Sequence, residues 1–518
     1  MTKPLAILVR LCVLTAALVG GAIYYATGLL NHDTSYLILG TDRWLGGATL
    51  YRDIMETNPP LIFYLTAPAV LLSKSLTITA PTAFVIFLCA AAACSLVWCW
   101  RLLSRIPALP PAGREIITCA CFLALIVIPA NSFGQREHLF LITALPYFLA
   151  QILRPNGVEI RPVEKIALGA FALVGFALKP YFLLPAMFGS LVLCRQQRSL
   201  RPLFEPDNIV LGAGYLAYAG FVALVYPEYF SLIVPLGLRI YGAIGYGLGV
   251  VIDRSILPVL LIVALATLGD SSKPIRNSLS VLSAIMAGLL GAYVMQAKGW
   301  PYQILPFESM AIIACTLAVI VTAYDLKARP LHFFLFAIVP AMLLLKSMNN
   351  RYQNIYAEVF STKLRELSPD WRGKSLLLLS TDDYAAFPLI NELGAQWAGR
   401  YPYQWIVAGA LSRLDNEKCP SNSKSCAELN TILEYGRRTN VDDFVVRAPD
   451  VVLIDNRPLK TFFPDKPFDY IDFLKSDPRF PEIWRHYRKA DSALDYDIWL
   501  RVPDAPVSKL TSGGVDHP

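Results

Sequence analysis

Long apolar runs recur from the N-terminus to about residue 346 and then stop. Several hold roughly 20 residues, enough for a helix to cross about 30 Å of hydrocarbon. A chain with 55% hydrophobic and only 16% charged residues has too little polar surface for a water-soluble globule. A lipid bilayer is therefore the expected solvent for residues 1–346, and the more polar residues 347–518 form a separate domain.

The basic residues between the apolar runs indicate orientation. A net charge of +7 would suggest nucleic acid in a soluble protein, but here the excess lies in short loops, so no nucleic-acid partner is expected. We predict a membrane all-α fold of about 11 transmembrane helices, with a soluble C-terminal α/β domain on the outer, periplasmic side. The predicted spans are 5–30, 80–103, 116–130, 138–153, 166–179, 181–194, 207–226, 255–268, 278–296, 303–323 and 330–346.

The segment 59–79 is predicted to lie in the membrane interface. It opens with Pro59-Pro60 and its apolar part is short. If it spanned the membrane, the arginines at 101, 105 and 114 would lie outside, against the positive-inside rule. Residues 31–58 then form the first outer loop.

The first outer loop is rich in acidic residues. Asp33 is predicted to follow the first helix directly, where a carboxylate near the membrane surface can accept a proton from an acceptor hydroxyl. Asp53 and Glu56 are three residues apart and can face the same way on a helical turn. The alternative for these acids is a solvated loop or a helix cap, and Asp53 beside Arg52 also fits a role in holding the loop together.

The order of these motifs resembles the first loop of the GT-C superfamily of polyprenyl-phosphate-sugar-dependent glycosyltransferases, which includes protein mannosyltransferase-like and aminoarabinose transferase-like families. The similarity lies in an acid after the first helix, then WLGG at 44–47 with LYRD at 50–53, then NPPL at 58–61. The resemblance implies a catalytic base at Asp33 and a second catalytic acidic position at Asp53. It does not fix the acceptor.

Two further outer segments carry candidate substrate-binding residues. The turn at 133–138 packs three ionisable groups between apolar runs, and Arg136 and His138 are predicted to contact donor or acceptor. The alternative is a purely structural Arg136–Glu137 pair at a helix start. Glu56 in the first loop is a further candidate for substrate binding.

Cationic residues are needed to stabilise the phosphate that leaves a lipid-phosphate sugar. Lys179, Arg239 and Lys298 are the predicted contacts. Trp300 and Tyr302 beside Lys298 are predicted to hold the sugar or the lipid head. The alternative is an ordinary snorkelling lysine within an aromatic belt.

Only two of the ten cysteines, Cys419 and Cys426, lie in the polar tail, and a disulfide between them is expected in an oxidising compartment. The His and Cys spacings match no metal motif, so no metal site is predicted. No cofactor is assigned, and a requirement for a divalent cation stays open.

The sequence of residues 347–518 predicts a small α/β domain. Strands are expected at 375–380, 450–455 and 496–502, and helices at 384–397 and 468–474. It holds no recognisable catalytic triad. We therefore interpret it as a lid or an acceptor platform, similar to the outer domains of GT-C enzymes.

These observations predict a multi-pass glycosyltransferase of a bacterial inner membrane with its active site facing the periplasm. It would move a sugar from a polyprenyl-phosphate donor, with inversion, to a periplasmic glycan, lipid or protein acceptor, in contact with membrane lipid. Two alternatives stay open: a membrane transporter, and a polysaccharide or lipid assembly protein without transferase activity.

Overall fold

The computed structural model describes residues 3–107, 109–268, 273–324, 330–417 and 423–502. The chain divides into two compact units, Met1–Asn354 and Ile355–Pro518. The sequence placed this boundary after residue 346, eight residues before the division between the units.

The first unit is helical in the part of the chain that the structure describes. Its α-helices are α1 Lys3–Ala26, α2 His32–Leu45, α3 Leu61–Ser75, α4 Ala80–Leu103, α5 Pro111–Phe122, α6 Arg136–Leu153, α7 Pro162–Phe176, α8 Leu183–Gln197, α9 Pro206–Val225, α10 Val234–Arg239, α11 Leu248–Ala266, α12 Lys273–Gln296, α13 Leu305–Tyr324 and α14 Pro330–Met348. A π-helical turn, Leu123–Val127, continues α5.

The prediction of about 11 transmembrane helices is wrong. Within the described residues, five helices are long and apolar enough to cross a membrane: Ala80–Leu103, Pro206–Val225, Leu248–Ala266, Lys273–Gln296 and Pro301–Val321. Four shorter apolar helices accompany them, at Cys12–Ala26, Leu61–Ser75, Tyr229–Arg239 and Phe334–Met348. The chain is thus a membrane protein. The C-terminal unit was expected on the outer side because eleven is an odd number of spans, and that argument no longer holds.

The physical reason for the error lies in helix length and in what covers each apolar surface. Helices α7 and α8 have 15 residues each, so each rises only about 23 Å, less than the hydrocarbon thickness. Helix α6 is apolar because it is a core helix, and all 18 of its residues are buried inside the unit. Hydropathy does not distinguish a helix that faces protein from one that faces lipid.

The second unit contains a five-stranded sheet. Its elements are α15 Ile355–Leu367, β1 Ser375–Leu379, α16 Leu389–Leu393, β2 Gln396–Trp397, α17 Trp405–Asn416, α18 Lys424–Arg447, β3 Val451–Asp455, α19 Tyr470–Lys475, α20 Phe480–Trp484, β4 Tyr487–Ala493 and β5 Tyr496–Arg501. The strand order is β2-β1-β3-β5-β4. β1 is parallel to β2 and β3, and β5 is antiparallel to β3 and β4.

β1, β3 and β5 lie where the sequence placed strands, because each is a short, mostly apolar run. The single helix expected at 384–397 is wrong: the region holds a 3-10 turn, the short α16 and the strand β2. Pro388 lies between the turn and α16 and lacks the N–H that a continuous helix needs. Cys426 is disulfide-bonded. Cys419 lies outside the described residues, so the pairing of these two cysteines stays a prediction.

Candidate active site

The first turn of α2 positions Asp33. Asn31 caps this helix, and its Oδ1 accepts hydrogen bonds from the Asp33 N–H at 2.9 Å and from Gln135 Nε2 at 2.8 Å. Asp33 therefore lies within the first turn of a second helix, since α1 already ends at Ala26. A carboxylate is favoured there by the positive end of the helix dipole.

The Asp33 carboxylate is accessible. Its side chain is 18% exposed, and His32 Nε2 lies 3.9 Å from its Oδ2, beyond hydrogen-bond distance. Arg136 and Lys179 both lie close enough to interact with it electrostatically. Asp33 thus combines partial access with two cationic side chains within electrostatic range.

Arg136 is buried beside segment 31–58. Its Nη1 lies 3.4 Å from Glu56 Oε1, and both residues are less than 10% exposed. The same Glu56 oxygen accepts from the Asn58 backbone N–H at 2.9 Å and from Asn58 Nδ2 at 2.6 Å. Glu56 therefore acts as an anchor that fixes the guanidinium, and the two predicted substrate-binding residues are in contact.

Lys179 forms a second buried ion pair. Its Nζ lies 2.6 Å from Glu137 Oε1 and 3.4 Å from Gln296 Oε1, which also accepts from the Tyr181 hydroxyl at 2.9 Å. The ring of Tyr302 lies 5.5 Å from the ammonium, within cation–π range. Burial lowers the pKa of Lys179, and Glu137 opposes that shift.

Glu137 is the site residue that sequence reasoning missed. It is fully buried, and its Oε2 has no hydrogen-bond partner. A buried lysine needs a counter-ion, since an isolated buried ammonium is costly. A buried Lys179 therefore implies a nearby acidic residue, and Glu137 is a candidate in the sequence. The sequence does not show that the two pair, because they are 42 positions apart and meet only when α6 packs against the segment that joins α7 and α8.

His138 has a structural position. Its Nδ1 accepts from the Gly134 N–H at 3.0 Å, which makes Nε2 the donor to the Leu125 carbonyl at 2.7 Å. Gly134 has φ +86°, and a Cβ there would meet Phe84 at 3.0 Å. The imidazole is fully buried with both nitrogens engaged, which leaves no ring nitrogen for the predicted substrate contact.

Lys298 holds a neighbouring loop. Its Nζ donates to the carbonyls of Tyr241 and of Ile244, the latter at 2.7 Å, and it lies 4.0 Å above the Tyr241 ring. The Tyr246 N–H donates back to the Lys298 carbonyl at 2.8 Å. Lys298 is only 6% exposed, so its ammonium stabilises the 241–246 loop and is not positioned in the open for a substrate phosphate.

The remaining predicted residues lie around this cluster. Trp300 and Tyr302 are half-buried with ring centroids 5.8 Å apart, so they connect the surroundings of Lys298 to those of Lys179. Asp53 Oδ2 accepts from the Thr49 N–H at 3.0 Å, a contact that shapes its own turn. Arg239 is half-buried in the last turn of α10.

The structure thus brings Asp33, Glu56, Arg136, Lys179 and Tyr302 into one electrostatically connected cluster. The cluster offers an accessible carboxylate within electrostatic range of two anchored cations and of the Tyr302 ring. Such a site can accept a proton and stabilise an anion. No protein-family model matches this chain, and no curated protein matches its sequence.

Proposed function

We propose that the first unit is an inverting membrane glycosyltransferase that uses a polyprenyl-phosphate-linked sugar. The observation that carries the proposal is the accessible Asp33 carboxylate within electrostatic range of the buried cations Arg136 and Lys179. A base for the acceptor and cations for the departing phosphate are the two groups that this reaction needs. The resemblance of the first loop to GT-C enzymes supports the same assignment.

In the proposed reaction, Asp33 takes the proton of an acceptor hydroxyl. The acceptor oxygen forms a bond to the anomeric carbon, and the bond between that carbon and the phosphate oxygen breaks on the opposite face. The electron pair leaves with the polyprenyl phosphate, whose added negative charge is stabilised by N–H donors of Arg136 and Lys179. The sugar is thereby inverted, and the proton stays on Asp33 until solvent removes it.

The partners of the two cations support this role. A guanidinium has five N–H donors and an ammonium has three, so one ion pair leaves donors for a phosphate. Glu56 and Glu137 hold their cations within 3.4 Å and 2.6 Å, which reduces the reorganisation needed when charge develops. Tyr302 and Trp300 offer ring surfaces for the sugar or the lipid head.

The basic loops support an outward-facing site. Helix α6 begins at Arg136 in the site, and its far end lies about 27 Å away at 1.5 Å per residue. The basic segments 154–165 and 195–201 follow α6 and α8 and precede α9, Pro206–Val225, which is long enough to cross a membrane. Beyond the other end of α9, Glu228 pairs with Arg52 of segment 31–58. Cytoplasmic loops carry the excess of Lys and Arg, so the site end is assigned to the periplasmic side of a bacterial inner membrane. The disulfide at Cys426 supports an oxidising outer compartment for the second unit.

One observation favours transport as the second candidate. Arg154 and Asp207 form a buried ion pair at the end of α6 opposite to the site, and Gln151 Nε2 donates to the Tyr147 hydroxyl nearby at 2.5 Å. Buried ionisable groups at both ends of one core helix are a feature of proton or substrate pathways. A transporter would move its substrate without breaking the sugar–phosphate bond.

The experiment that separates the two candidates uses the full-length protein in lipid nanodiscs. Polyprenyl-phosphate-linked mannose, arabinose, glucose and aminoarabinose are supplied together with hydroxyl acceptors, and the release of free polyprenyl phosphate is measured. The transferase proposal predicts release with at least one donor and a product of inverted configuration. No release with any donor, together with movement of an intact donor across the bilayer of proteoliposomes, would favour the transporter.

A further inference from the structure

The sheet of the second unit has a topological switch point. β1, β2 and β3 are parallel in the order β2-β1-β3, so the chain leaves β1 towards one side and returns to β3 on the other. The segments after β1 and β3 therefore diverge. In open α/β sheets, such divergence leaves a crevice at the carboxyl ends of the strands, where ligands bind.

A network of charged residues occupies this edge. Arg457 follows β3, and its Nη2 lies 2.6 Å from Asp382 Oδ2, which follows β1. Its Nε donates to Asp455 Oδ1 at 2.9 Å, and Ser380 Oγ donates to Asp455 Oδ2 at 3.2 Å. The network fixes the positions of the polar groups at the carboxyl ends of both strands.

An open groove of about 660 Å³ begins at this network and runs beside β5 and α19. Trp484 and Trp499 line it, with ring centroids 4.7 Å apart and planes inclined at 48°. Both indoles are half-buried, so each keeps part of its surface in the groove. Asn456 and Asp497 lie beside them and are joined by a hydrogen bond of 2.8 Å from Asn456 Nδ2.

We propose that this groove binds a saccharide. The C–H faces of a sugar ring are flat and apolar and pack against indole rings, while its hydroxyl groups both donate and accept hydrogen bonds. Carboxylates, an amide and ammonium groups around the two tryptophans offer acceptors and donors in one place.

The charge of the groove favours a neutral sugar over a phosphorylated one. Four carboxylates line it, against three cations: Asp455, Asp469, Asp472 and Asp497, with Arg457, Lys460 and Lys475. Arg457 is already held by two of the unit's aspartates. Because these positive and negative charges nearly cancel, the groove has no net electrostatic attraction for an anionic ligand. The inference goes beyond the proposed transferase function and does not depend on it.

The test measures saccharide binding by the full-length protein in nanodiscs. The probes are the neutral pentasaccharides mannopentaose, arabinopentaose and cellopentaose, with inorganic phosphate as the anionic comparison, and the readout is isothermal titration calorimetry. We expect saturable binding of at least one pentasaccharide. Trp499→Ala should weaken it by roughly tenfold or more, because an aromatic contact surface is lost.

Two further variants make the outcome decisive. Trp499 also packs against the core of the second unit, so Lys475→Ala, at a groove-lining side chain that is 51% exposed, tests the groove without a risk to folding, and it should weaken binding severalfold. Asp370→Asn changes a 66% exposed carboxylate outside the groove lining and should bind as the wild type does. Absence of binding for all three pentasaccharides, saturable binding of phosphate in their place, or unchanged binding by Lys475→Ala would overturn the proposal.

Discussion

The Lys179 ammonium lies 2.6 Å from the Glu137 carboxylate, and neither side chain is more than 4% exposed. Such a pair is costly to break from one side, because the remaining charge stays buried without a counter-ion. It therefore fixes the segment that joins α7 and α8 to the start of α6. This contact brings a lysine between α7 and α8 within electrostatic range of Asp33 on α2.

Breaking this pair should destabilise the first unit. Lys179→Met or Glu137→Gln alone is expected to cost about 3–5 kcal/mol, and the double variant less than the sum of the two. The measurement is chemical unfolding in detergent micelles, followed as a double-mutant cycle. Lys346→Met removes a partner of Glu308 that is 46% exposed and should cost about 1 kcal/mol or less. Additive effects of Lys179→Met and Glu137→Gln would contradict the buried contact.

Lys298→Met should loosen the 241–246 loop. The substitution removes donors to the Tyr241 and Ile244 carbonyls, so amides of this loop should exchange with deuterium roughly tenfold faster. Hydrogen–deuterium exchange with mass spectrometry provides the readout. Lys74→Met, at a lysine that is 53% exposed, is the control and should leave this loop unchanged. Unaltered protection in Lys298→Met would show that the loop does not depend on Lys298 and would favour a direct contact of this lysine with substrate.

Cys426 should carry no free thiol in protein taken from its native membrane. Maleimide labelling under denaturing conditions, followed by peptide mass spectrometry, is expected to modify Cys426 only after reduction. The eight cysteines that are free, among them Cys89 and Cys315, provide the internal control because they should label without reduction. Labelling of Cys426 before reduction would remove the argument for an oxidising compartment.

The second unit should lose stability in acid through Asp477. Hydrogen bonds from Arg479 lower the pKa of this buried carboxyl. A depressed pKa stabilises the folded state above the unfolded value of about 3.9, and this contribution is lost as the pH falls through the folded value. Asp477→Asn should therefore weaken the loss of stability below about pH 4, measured from urea midpoints. Asp472→Asn, at a side chain that is 74% exposed, should leave the profile nearly unchanged.

Local sequence patterns were sufficient for three of the five strands of the second unit, while β2 and β4 were not predicted. β1, β3 and β5 are short, mostly apolar runs, and such runs predict strands of about the observed length and position. The long helix α18 was not predicted, because its mixed composition shows no clear apolar face. The number of spans was wrong for a related reason: the apolar character of α6 serves the interior of the protein.

The candidate site shows the same division. Asp33 was identified from its place after the first apolar run, and the Arg136, Glu56 and Lys179 side chains lie close to it or to one another. The functions of Glu137 and Lys298 could not be read from the sequence, because each depends on a partner that is distant in the chain. The sequence shows that a charged residue lies next to an apolar run. Only the tertiary structure shows which side chain neutralises it.

The central claim is that Asp33 is the catalytic base, and one comparison tests it most directly. Polyprenyl phosphate release is measured for the wild type, Asp33→Asn and Asp42→Asn, with the best donor from the nanodisc assay. Both aspartates lie on α2, but Asp42 pairs with Lys74 and is 50% exposed. The proposal predicts a loss of roughly 10²-fold or more in kcat for Asp33→Asn, because Asn keeps the shape but not the basic carboxylate, with turnover close to wild type for Asp42→Asn. Near-normal turnover by Asp33→Asn would contradict it.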